Sequence, residues 1–504
     1  MSMIDSTNVT HAVSDTGVKK AMLGASKEEV EEPCAMTKGL LHGFEQTDPS
    51  TVTMRTNMIK ETCMEEVVLI DLFDYGCHKS KSLNNDKVLQ HIRSISQKRY
   101  GVNIPLTYFL CHQDPICKEY KSEAFFGIPE MDLDNLKNGY KIVKDTNMAA
   151  ILYTIKQEID ELRKSAALII LPQQRKPEMD VYIDQLFTAV YKFSFEYFNA
   201  HPDKGDITQQ CGTEAEKNKL TIEDSEEFAR RNIKSYLKSL PSLKGELVIL
   251  TSQKIPEDIF LHGFSTRCGG VSYIPTLSSL NLFSSSKRRD PKGVVAENFR
   301  RLGKAAGFDP QTYVPVKVDH AQKVWIMEKP EPPCYDGIVT NQKGLTIAAP
   351  GADCIPILFC DPVKKACGAA HSGWKGTLLG VSMATVNAMI SEYGSDAKDI
   401  RVVLGPSVGP CCFTLTQEEA KAFYDIDPFC VQQFQSPNPY VDIRRATRIL
   451  LERGGILPQN IQDDTIEDKS QNITLCTSCH SDKFFSHVRD GNNFGTQICF
   501  ISIK

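Results

Sequence analysis

The chain has 504 residues, of which 41% are hydrophobic and 24% are charged, and its formal net charge is −5. This length is too great for one ordinary hydrophobic core and predicts two domains. The weak negative charge gives no electrostatic reason to expect nucleic acid or an anionic membrane surface as a partner. No apolar run reaches the roughly 20 residues that a membrane-spanning helix needs.

The 17 cysteines indicate a reducing compartment. They are scattered through a long chain and their number is odd, so a framework of disulfides is not expected. Residues 1–31 are polar and lack the apolar segment of a secretory signal. We therefore expect a cytoplasmic protein, and association with the nucleus, the peroxisome or the endoplasmic reticulum stays compatible with that expectation.

The N-terminal part begins with a polar extension and continues as a small α/β domain. Residues 1–63 are rich in Ser, Thr, Glu and Lys without hydrophobic periodicity, which predicts a disordered extension. Within 64–200, the apolar runs 65–73 and 166–172 are typical of buried strands, and the pattern of 148–164 predicts a helix. Any protein partner is expected to bind through this domain.

A linker and a charged helix, together 201–245, separate this domain from a second one. The helix is predicted over 223–240, and Pro241 ends it. Residues 246–504 alternate short β-rich runs with helices, which predicts an α+β domain large enough for its own core. The predicted strands are 247–250, 345–349, 355–359, 366–371 and 401–404, and the predicted helices are 377–393 and 442–453.

A predicted hairpin brings a cysteine and a histidine to one edge of the second domain. Two strands are joined by the turn 361–363, with Cys354 at the start of the first and His371 at the end of the second. A thiolate beside an imidazole is either a pair of metal ligands or a nucleophile with its base. Spacing alone also fits two buried packing residues. The turn after His371 opens a helix, and its backbone N–H groups together with Lys375 suit an anion.

A glycine-rich segment, 262–272, is a second candidate site. Gly269 and Gly270 permit close approach of the backbone to a ligand, and Arg267 can hold phosphate through two parallel hydrogen bonds. An ordinary glycine-rich turn with a solvated arginine explains the same residues.

The segment Cys476-Thr-Ser-Cys479-His480 suggests either covalent haem attachment or half of a zinc site. Haem attachment requires export to an oxidising compartment, for which the sequence gives no support. A zinc site needs a second pair of ligands at short spacing, and Cys411-Cys412 are adjacent rather than arranged as C-x-x-C. We therefore interpret these cysteines as structural.

Seven sequence blocks form an ordered set across the second domain. They are T-R-C-G-G-V-S from Thr266, V-D-H-A-Q around His320, Y-D-G from Tyr335, G-A-D-C-I-P from Gly351, A-H-S-G-W-K-G from Ala370, G-P-S-V-G-P-C-C-F from Gly405, and C-T-S-C with F-F-S-H-V-R-D-G from Cys476. In this order, residues from about 247 to 504 resemble the laccase-domain family, which is also called YfiH-type or multicopper polyphenol oxidase. Residues 281–291 and the N-terminal domain are similar to vertebrate members.

The resemblance implies an α+β fold with a C-terminal YfiH-like mixed-sheet domain flanked by helices, preceded by the small α/β domain. It also implies a single metal site made by His320, Cys354 and His371. One cysteine and two histidines with an open fourth position are the ligand pattern of a catalytic zinc site. We therefore expect one Zn²⁺ per chain, with copper as the less favoured metal.

The family name implies copper-dependent oxidation of phenols, and the sequence argues against this activity. A laccase needs several coppers and hence many histidines, some of them in H-x-H pairs. This chain has 11 histidines and no H-x-H pair.

The resemblance implies purine nucleoside chemistry instead, with purine nucleosides and phosphate as the ligands. The expected reactions are phosphorolysis of adenosine, inosine, guanosine and methylthioadenosine, and deamination of adenosine to inosine. A zinc ion that activates water suits attack at C6 of adenine, and we expect Asp353 to transfer a proton or to orient a metal ligand. The residues expected to bind substrate or phosphate are Arg267, Ser272, Lys375 and Arg489.

Two other classes of function stay open. A cysteine hydrolase would use Cys354 as its nucleophile and His371 as its base. A scaffold protein would recruit partners through the N-terminal domain and carry a vestigial C-terminal site.

Overall fold

The computed structural model describes residues 66–72, 85–101, 105–112, 139–198 and 222–504. The predicted extension at 1–63 and the first part of the predicted linker lie outside these residues. All described residues fall within one compact unit, Met58–Lys504. None of the helices in these segments is long and apolar enough to cross a membrane.

A parallel sheet of five strands forms the N-terminal part. Its strands are β1 Glu66–Asp71, β2 Thr107–His112, β3 Tyr140–Asp145, β4 Ala166–Pro172 and β5 Lys192–Phe198, and its helices are α1 Asn85–Tyr100, α2 Met148–Glu161, α3 Lys176–Leu186 and α4 Ile222–Ser239. The strand order is β3-β2-β1-β4-β5. Parallel strands require long crossovers, which explains the alternation of strand and helix along the chain. The predicted α/β domain is confirmed.

The second part contains two mixed sheets, a short two-stranded sheet and flanking helices within residues 222–504. Its strands are β6 Ile249–Leu250, β7 Phe260–Ser265, β8 Tyr313–Pro315, β9 Val324–Ile326, β10 Gly337–Thr340, β11 Thr346–Gly351, β12 Ile355–Asp361, β13 Ala366–Ser372, β14 Arg401–Leu404, β15 Val431–Gln432, β16 Tyr440–Val441, β17 Ile461–Gln462 and β18 Gln497–Ile503. Its helices are α5 Lys292–Ala306, α6 Trp374–Leu379, α7 Val381–Tyr393, α8 Gln417–Ile426, α9 Ile443–Arg453 and α10 His487–Asp490.

The two mixed sheets pack face to face. One has the order β17-β14-β12-β13-β10-β9 and the other has the order β6-β7-β18-β11-β8. Helices α7 and α9 cover the outer face of the first sheet, and α5 covers the outer face of the second. The predicted α+β class is therefore confirmed. The apolar layer between the sheets includes Phe264, Ile347, Leu358, Ala369, Val403 and Ile501.

The predicted elements differ from the structure mainly at helix boundaries. The helix predicted over 377–393 is two helices, α6 and α7, because Gly380 between them adopts a left-handed φ of 82°. The helix predicted over 442–453 begins at Ile443, and the Asp442 side chain caps it by accepting hydrogen bonds from two backbone amides.

A buried polar cluster joins α2 to the second part of the chain. The side chain of Lys156 is fully buried, and its ammonium donates to Asp160 at 2.8 Å. The Asp160 carboxylate also accepts from the hydroxyl of Tyr191 at 2.5 Å, from Tyr273 and from Arg289. A buried charge without a partner is strongly destabilising, so Asp160 balances the charge of Lys156 and connects both parts.

We predict that Asp160→Ala lowers the free energy of unfolding by about 3–5 kcal/mol, because it leaves the buried Lys156 ammonium unpaired. The matched control is Asp180→Ala. It removes the partner of Lys176 in a solvent-exposed pair and should cost less than about 1 kcal/mol. Urea denaturation of both variants measures the difference, and equal losses would contradict this account of the cluster.

Candidate metal centre

The hairpin of β12 and β13 positions two of the three expected ligands. The strands are antiparallel with Pro356 opposite His371, so Cys354, just before β12, lies at the same end of the hairpin as His371. Both strands are buried along their whole length, which fixes their ends with little freedom. The predicted hairpin is confirmed.

The third expected ligand, His320, comes from the loop between β8 and β9. The sulfur of Cys354 and the ring nitrogens of His320 and His371 lie within 4.8 Å of one another. The two imidazole rings meet edge to face, with centroids 4.9 Å apart. Residues that are distant in the sequence therefore converge on one point.

A fully buried carboxylate, Asp336, arranges this convergence. Its Oδ1 accepts from Nδ1 of His371 at 2.8 Å and from the backbone amide of His320 at 3.1 Å. Its Oδ2 accepts from the amides of Asp319 at 3.1 Å and Ala321 at 2.9 Å. Three successive amides that donate to one carboxylate hold His320 at a φ of 56°. This φ is left-handed, and a residue other than glycine adopts it only when its surroundings impose it. Asp336 lies in the Y-D-G block, to which the sequence analysis gave no role.

The electrostatics of the site favour a thiolate beside an imidazolium. Burial alone would raise the pKa of Cys354, but the charge of His371 and hydrogen bonds with both histidines lower it to about 6. Burial alone would lower the pKa of His371, but the charges of Cys354 and Asp336 raise it to about 9. A thiolate is the form of cysteine that binds a metal ion or attacks an electrophile.

Gly373, directly after β13, leaves the space that the site needs. A Cβ at this position would lie 3.0 Å from Sγ of Cys354 and 3.3 Å from Nδ1 of His320. Both distances are tighter than ordinary van der Waals contact, so a side chain here would displace the sulfur or the imidazole. The glycine stands in the A-H-S-G-W-K-G block, where its role could be recognised only from the folded chain.

Asp353, the residue before Cys354, has its side-chain partners on a different loop. Its carboxylate accepts from the hydroxyl of Thr477 at 2.7 Å and from the amide of Val488 at 2.6 Å. Its own carbonyl accepts from the amide of Val408 at 2.9 Å. The carboxylate that hydrogen-bonds a candidate ligand is thus Asp336, and the orientation of a ligand by Asp353 stays a prediction. Proton transfer by Asp353 stays a prediction.

Arg267 connects loops through hydrogen bonds to their backbone. It is only 5% exposed. Its Nε, Nη1 and Nη2 donate to the carbonyls of Ser278, Ser481 and Pro275 at 2.7, 2.8 and 2.8 Å. All three nitrogens thus donate to backbone oxygens of loops, and phosphate binding by Arg267 stays a prediction.

Arg489 is occupied in the same way. It binds the carboxylate of Asp490 through Nε and Nη2 at 2.9 and 2.7 Å. It also donates to the carbonyls of Thr477 at 2.8 Å and Phe484 at 3.0 Å. These contacts fix the loop around these residues, and phosphate binding by Arg489 stays a prediction.

Ser272 and Lys375 differ in their accessibility. Ser272 is fully buried, and its hydroxyl donates to Asp290 at 2.6 Å and accepts from Asn298 at 2.9 Å. A substrate cannot reach it without unfolding this network, so its expected contact with substrate is not supported. Lys375 is exposed in the first turn of α6, with Nζ 5.3 Å from the centroid of the Trp374 ring.

The described residues contain two groups of three or more side chains that could hold a metal ion. Only the group formed by His320, Cys354 and His371 contains histidine.

We predict that Asp336→Asn weakens zinc binding by about 10- to 100-fold, because His371 and the His320 loop lose the carboxylate that orients them. Asp319→Asn is the matched control, since this exposed carboxylate is next to His320 in sequence and has Cys334 as its side-chain partner. Competition with a chelator of known affinity measures the change. Equal affinity of the two variants would contradict the role given to Asp336.

Comparisons with known proteins show the family of this chain. Residues 261–504 match the family described as multi-copper polyphenol oxidoreductase laccase. The human protein named purine nucleoside phosphorylase LACC1 is 54% identical over 445 residues, which cover 88% of this chain and 100% of that protein. The mouse protein of the same name is 54% identical over 448 residues, with 88% and 100% coverage.

A bacterial relative and a solved structure match the second part of the chain. The Bacillus subtilis protein named purine nucleoside phosphorylase YlmD is 29% identical over 256 residues, which cover 48% of this chain and 88% of that protein. The crystal structure of YlmD from Geobacillus stearothermophilus has a TM-score of 0.44 at 27% identity and covers 49% of this chain and 92% of that one. Because the human and mouse relatives are matched over their whole length at 54% identity, this chain belongs to the multi-copper polyphenol oxidoreductase laccase family.

Proposed function

We propose that this chain is a purine nucleoside phosphorylase whose reaction takes place at a zinc ion held by His320, Cys354 and His371. The convergence of one thiolate and two imidazoles within 4.8 Å carries the proposal. Three such ligands suit zinc and leave a fourth position for water or substrate. The names of the human and mouse relatives support the activity.

The proposed substrates are adenosine, inosine, guanosine and methylthioadenosine, each cleaved by phosphate to the free base and the ribose 1-phosphate product. Adenosine deamination to inosine is proposed for the same site. When bound, zinc supplies a Lewis acid that polarises a substrate oxygen or activates water. Asp336 keeps His371 in one orientation and one tautomer, since its carboxylate accepts the Nδ1 proton.

Proton transfer and phosphate binding are proposed for two residues beside the candidate ligands. Asp353 is adjacent to Cys354 and only 6% exposed, and both its carboxylate oxygens accept hydrogen bonds. Its position beside a proposed metal ligand is the basis for the proposed proton transfer. Lys375 is exposed close to His371 in the sequence, and its ammonium would hold phosphate for attack at C1′ of the ribose.

One observation favours a second candidate, a cysteine hydrolase. Cys354, His371 and Asp336 have the order of a nucleophile, a base and the carboxylate that orients the base. The lowered pKa of Cys354, about 6, would activate such a nucleophile. The two candidate functions differ in whether the Cys354 thiolate binds a metal ion in the native protein.

We predict that the purified protein converts adenosine plus phosphate to adenine and ribose 1-phosphate, and converts adenosine without phosphate to inosine. Cys354→Ala should lower both rates by about a thousandfold, because a bound metal contributes several kcal/mol to stabilisation of the transition state. Cys268→Ser is the control, since this half-buried cysteine lies outside the site and the change should leave both rates intact. Chromatography of the products measures both reactions.

The rival functions give different results in the same preparation. One zinc ion per chain that is lost in His320→Ala supports the metal site. Alkylation of Cys354 in fully metal-loaded protein would overturn it in favour of the hydrolase. Failure of metal-loaded wild-type protein to convert adenosine or inosine with phosphate would favour a scaffold protein.

We predict that Lys375→Gln raises the KM for phosphate by about tenfold or more and changes deamination little, because a charged hydrogen bond to phosphate contributes about 1.5–3 kcal/mol. Lys364→Gln is the matched control, as an exposed lysine in the turn at the other end of the same hairpin. Steady-state kinetics at varied phosphate concentration measures the KM for phosphate of both variants. An unchanged KM for phosphate in Lys375→Gln would remove this residue from the phosphate site.

A further inference from the structure

Four cysteines from two loops form a second cluster of metal-binding side chains. The sulfur atoms of Cys411, Cys412, Cys476 and Cys479 all lie within 4.8 Å of one another. Sγ of Cys479 is 3.5 Å from that of Cys411 and 3.4 Å from that of Cys412. These separations are well beyond the roughly 2.05 Å of a disulfide bond.

A backbone bridge brings the adjacent pair beside the C-x-x-C pair. Ser407, in the loop after β14, forms an isolated parallel bridge with Cys476. Its amide donates to the carbonyl of Leu475 at 3.2 Å, and its carbonyl accepts from the amide of Thr477 at 3.0 Å. Because this contact links residues that are far apart in the sequence, the spacing of the cysteines does not reveal it.

The surrounding residues hold the C-x-x-C turn in place. Arg489 donates to the carbonyls of Thr477 and Ser478 between the two cysteines, at 2.8 and 3.3 Å. Nδ1 of His480 and the carbonyl of Cys476 are 2.9 Å apart. Arg267 donates to the carbonyl of Ser481 and so fixes the residues that follow His480. The thiols are thus presented by a turn that is already ordered, as a high-affinity site requires.

The second loop approaches the turn closely at Gly409. A Cβ here would lie 3.2 Å from Sγ of Cys411 and 3.4 Å from Cβ of Cys476. The Gly409 amide donates to Sγ of Cys476 at 3.3 Å. Amide donors of this kind stabilise a thiolate, as do the outer contacts of metal-bound ligands.

We propose that Cys411, Cys412, Cys476 and Cys479 bind a structural zinc ion as a tetrathiolate site. Four cysteine sulfurs are a closed ligand set for zinc, with Zn–S distances of about 2.3 Å that place tetrahedral sulfurs about 3.8 Å apart. The sulfur–sulfur distances of 3.4 and 3.5 Å require only small shifts to reach this geometry. This site shares no ligand with the one formed by His320, Cys354 and His371. An experiment can therefore disprove either metal site without disproving the other.

The zinc ion would join the two loops that bind Asp353. Thr477 lies between the paired cysteines and donates to the Asp353 carboxylate, and Val408 precedes Gly409 and donates to the Asp353 carbonyl. A zinc ion that crosslinks the two loops beside these hydrogen bonds would restrict the motion of Asp353, which precedes Cys354. A structural zinc ion here would agree with the interpretation of these cysteines as structural, and the absence of a second C-x-x-C pair does not exclude it.

Metal analysis of protein purified under reducing conditions tests the site. The full chain should contain about two zinc ions, and the double variant Cys411→Ser/Cys479→Ser should contain about one. His320→Ala should lose the other ion and keep the tetrathiolate one. Cys268→Ser is the control, since this cysteine lies near the turn but outside the cluster, and it should keep the wild-type content.

A measurement on the wild-type chain covers the case in which the double variant does not fold. Cobalt substituted for zinc should give strong thiolate-to-metal absorption in the near ultraviolet, and this absorption should persist in His320→Ala. Unchanged zinc in a folded double variant would overturn the proposal. So would cobalt-loaded His320→Ala without thiolate absorption, or a disulfide among the four cysteines in the reduced protein.

Discussion

The candidate metal centre depends on one buried carboxylate. Asp336 accepts a hydrogen bond from His371 and holds the backbone of His320 in a left-handed turn. Hydrogen bonds to a charged group contribute about 1.5–3 kcal/mol each, enough to maintain a backbone conformation that His320 would not adopt alone. The same carboxylate fixes the ring of His371, so one residue determines the positions of two proposed ligands relative to Cys354.

The fold supplies the rigidity that this arrangement needs. The hairpin that positions Cys354 and His371 lies at the centre of a sheet covered on one face by helices and on the other by a second sheet. The opposite side of the site is made of loops, and these are tied by buried polar contacts. Arg267 and Arg489 bind loop carbonyls, and Asp353 joins the Cys354 segment to the loops that carry the cysteine cluster.

The sequence predicted the features that local patterns determine. Strands β4 and β14 begin and end where expected, since continuous apolar runs mark strands buried on both faces. Contacts between distant segments were not predictable in this way. Asp336 reaches His371 across 35 residues, and Cys411 reaches Cys479 across 68 residues. The loop contacts of Arg267 could not be predicted either, because an arginine beside glycines suits phosphate and backbone carbonyls equally well. Resemblance to a family supplied His320, for which spacing alone gave no signal.

Anomalous diffraction at the zinc absorption edge, from crystals of the metal-loaded protein, tests the central claim most directly. We expect a zinc peak about 2.0–2.3 Å from nitrogen atoms of His320 and His371 and from the sulfur of Cys354. Inosine soaked into the same crystals should bind beside this peak. The protein could instead cleave inosine with phosphate in solution and give no zinc peak among these three side chains. That result would contradict a reaction that depends on zinc at this site.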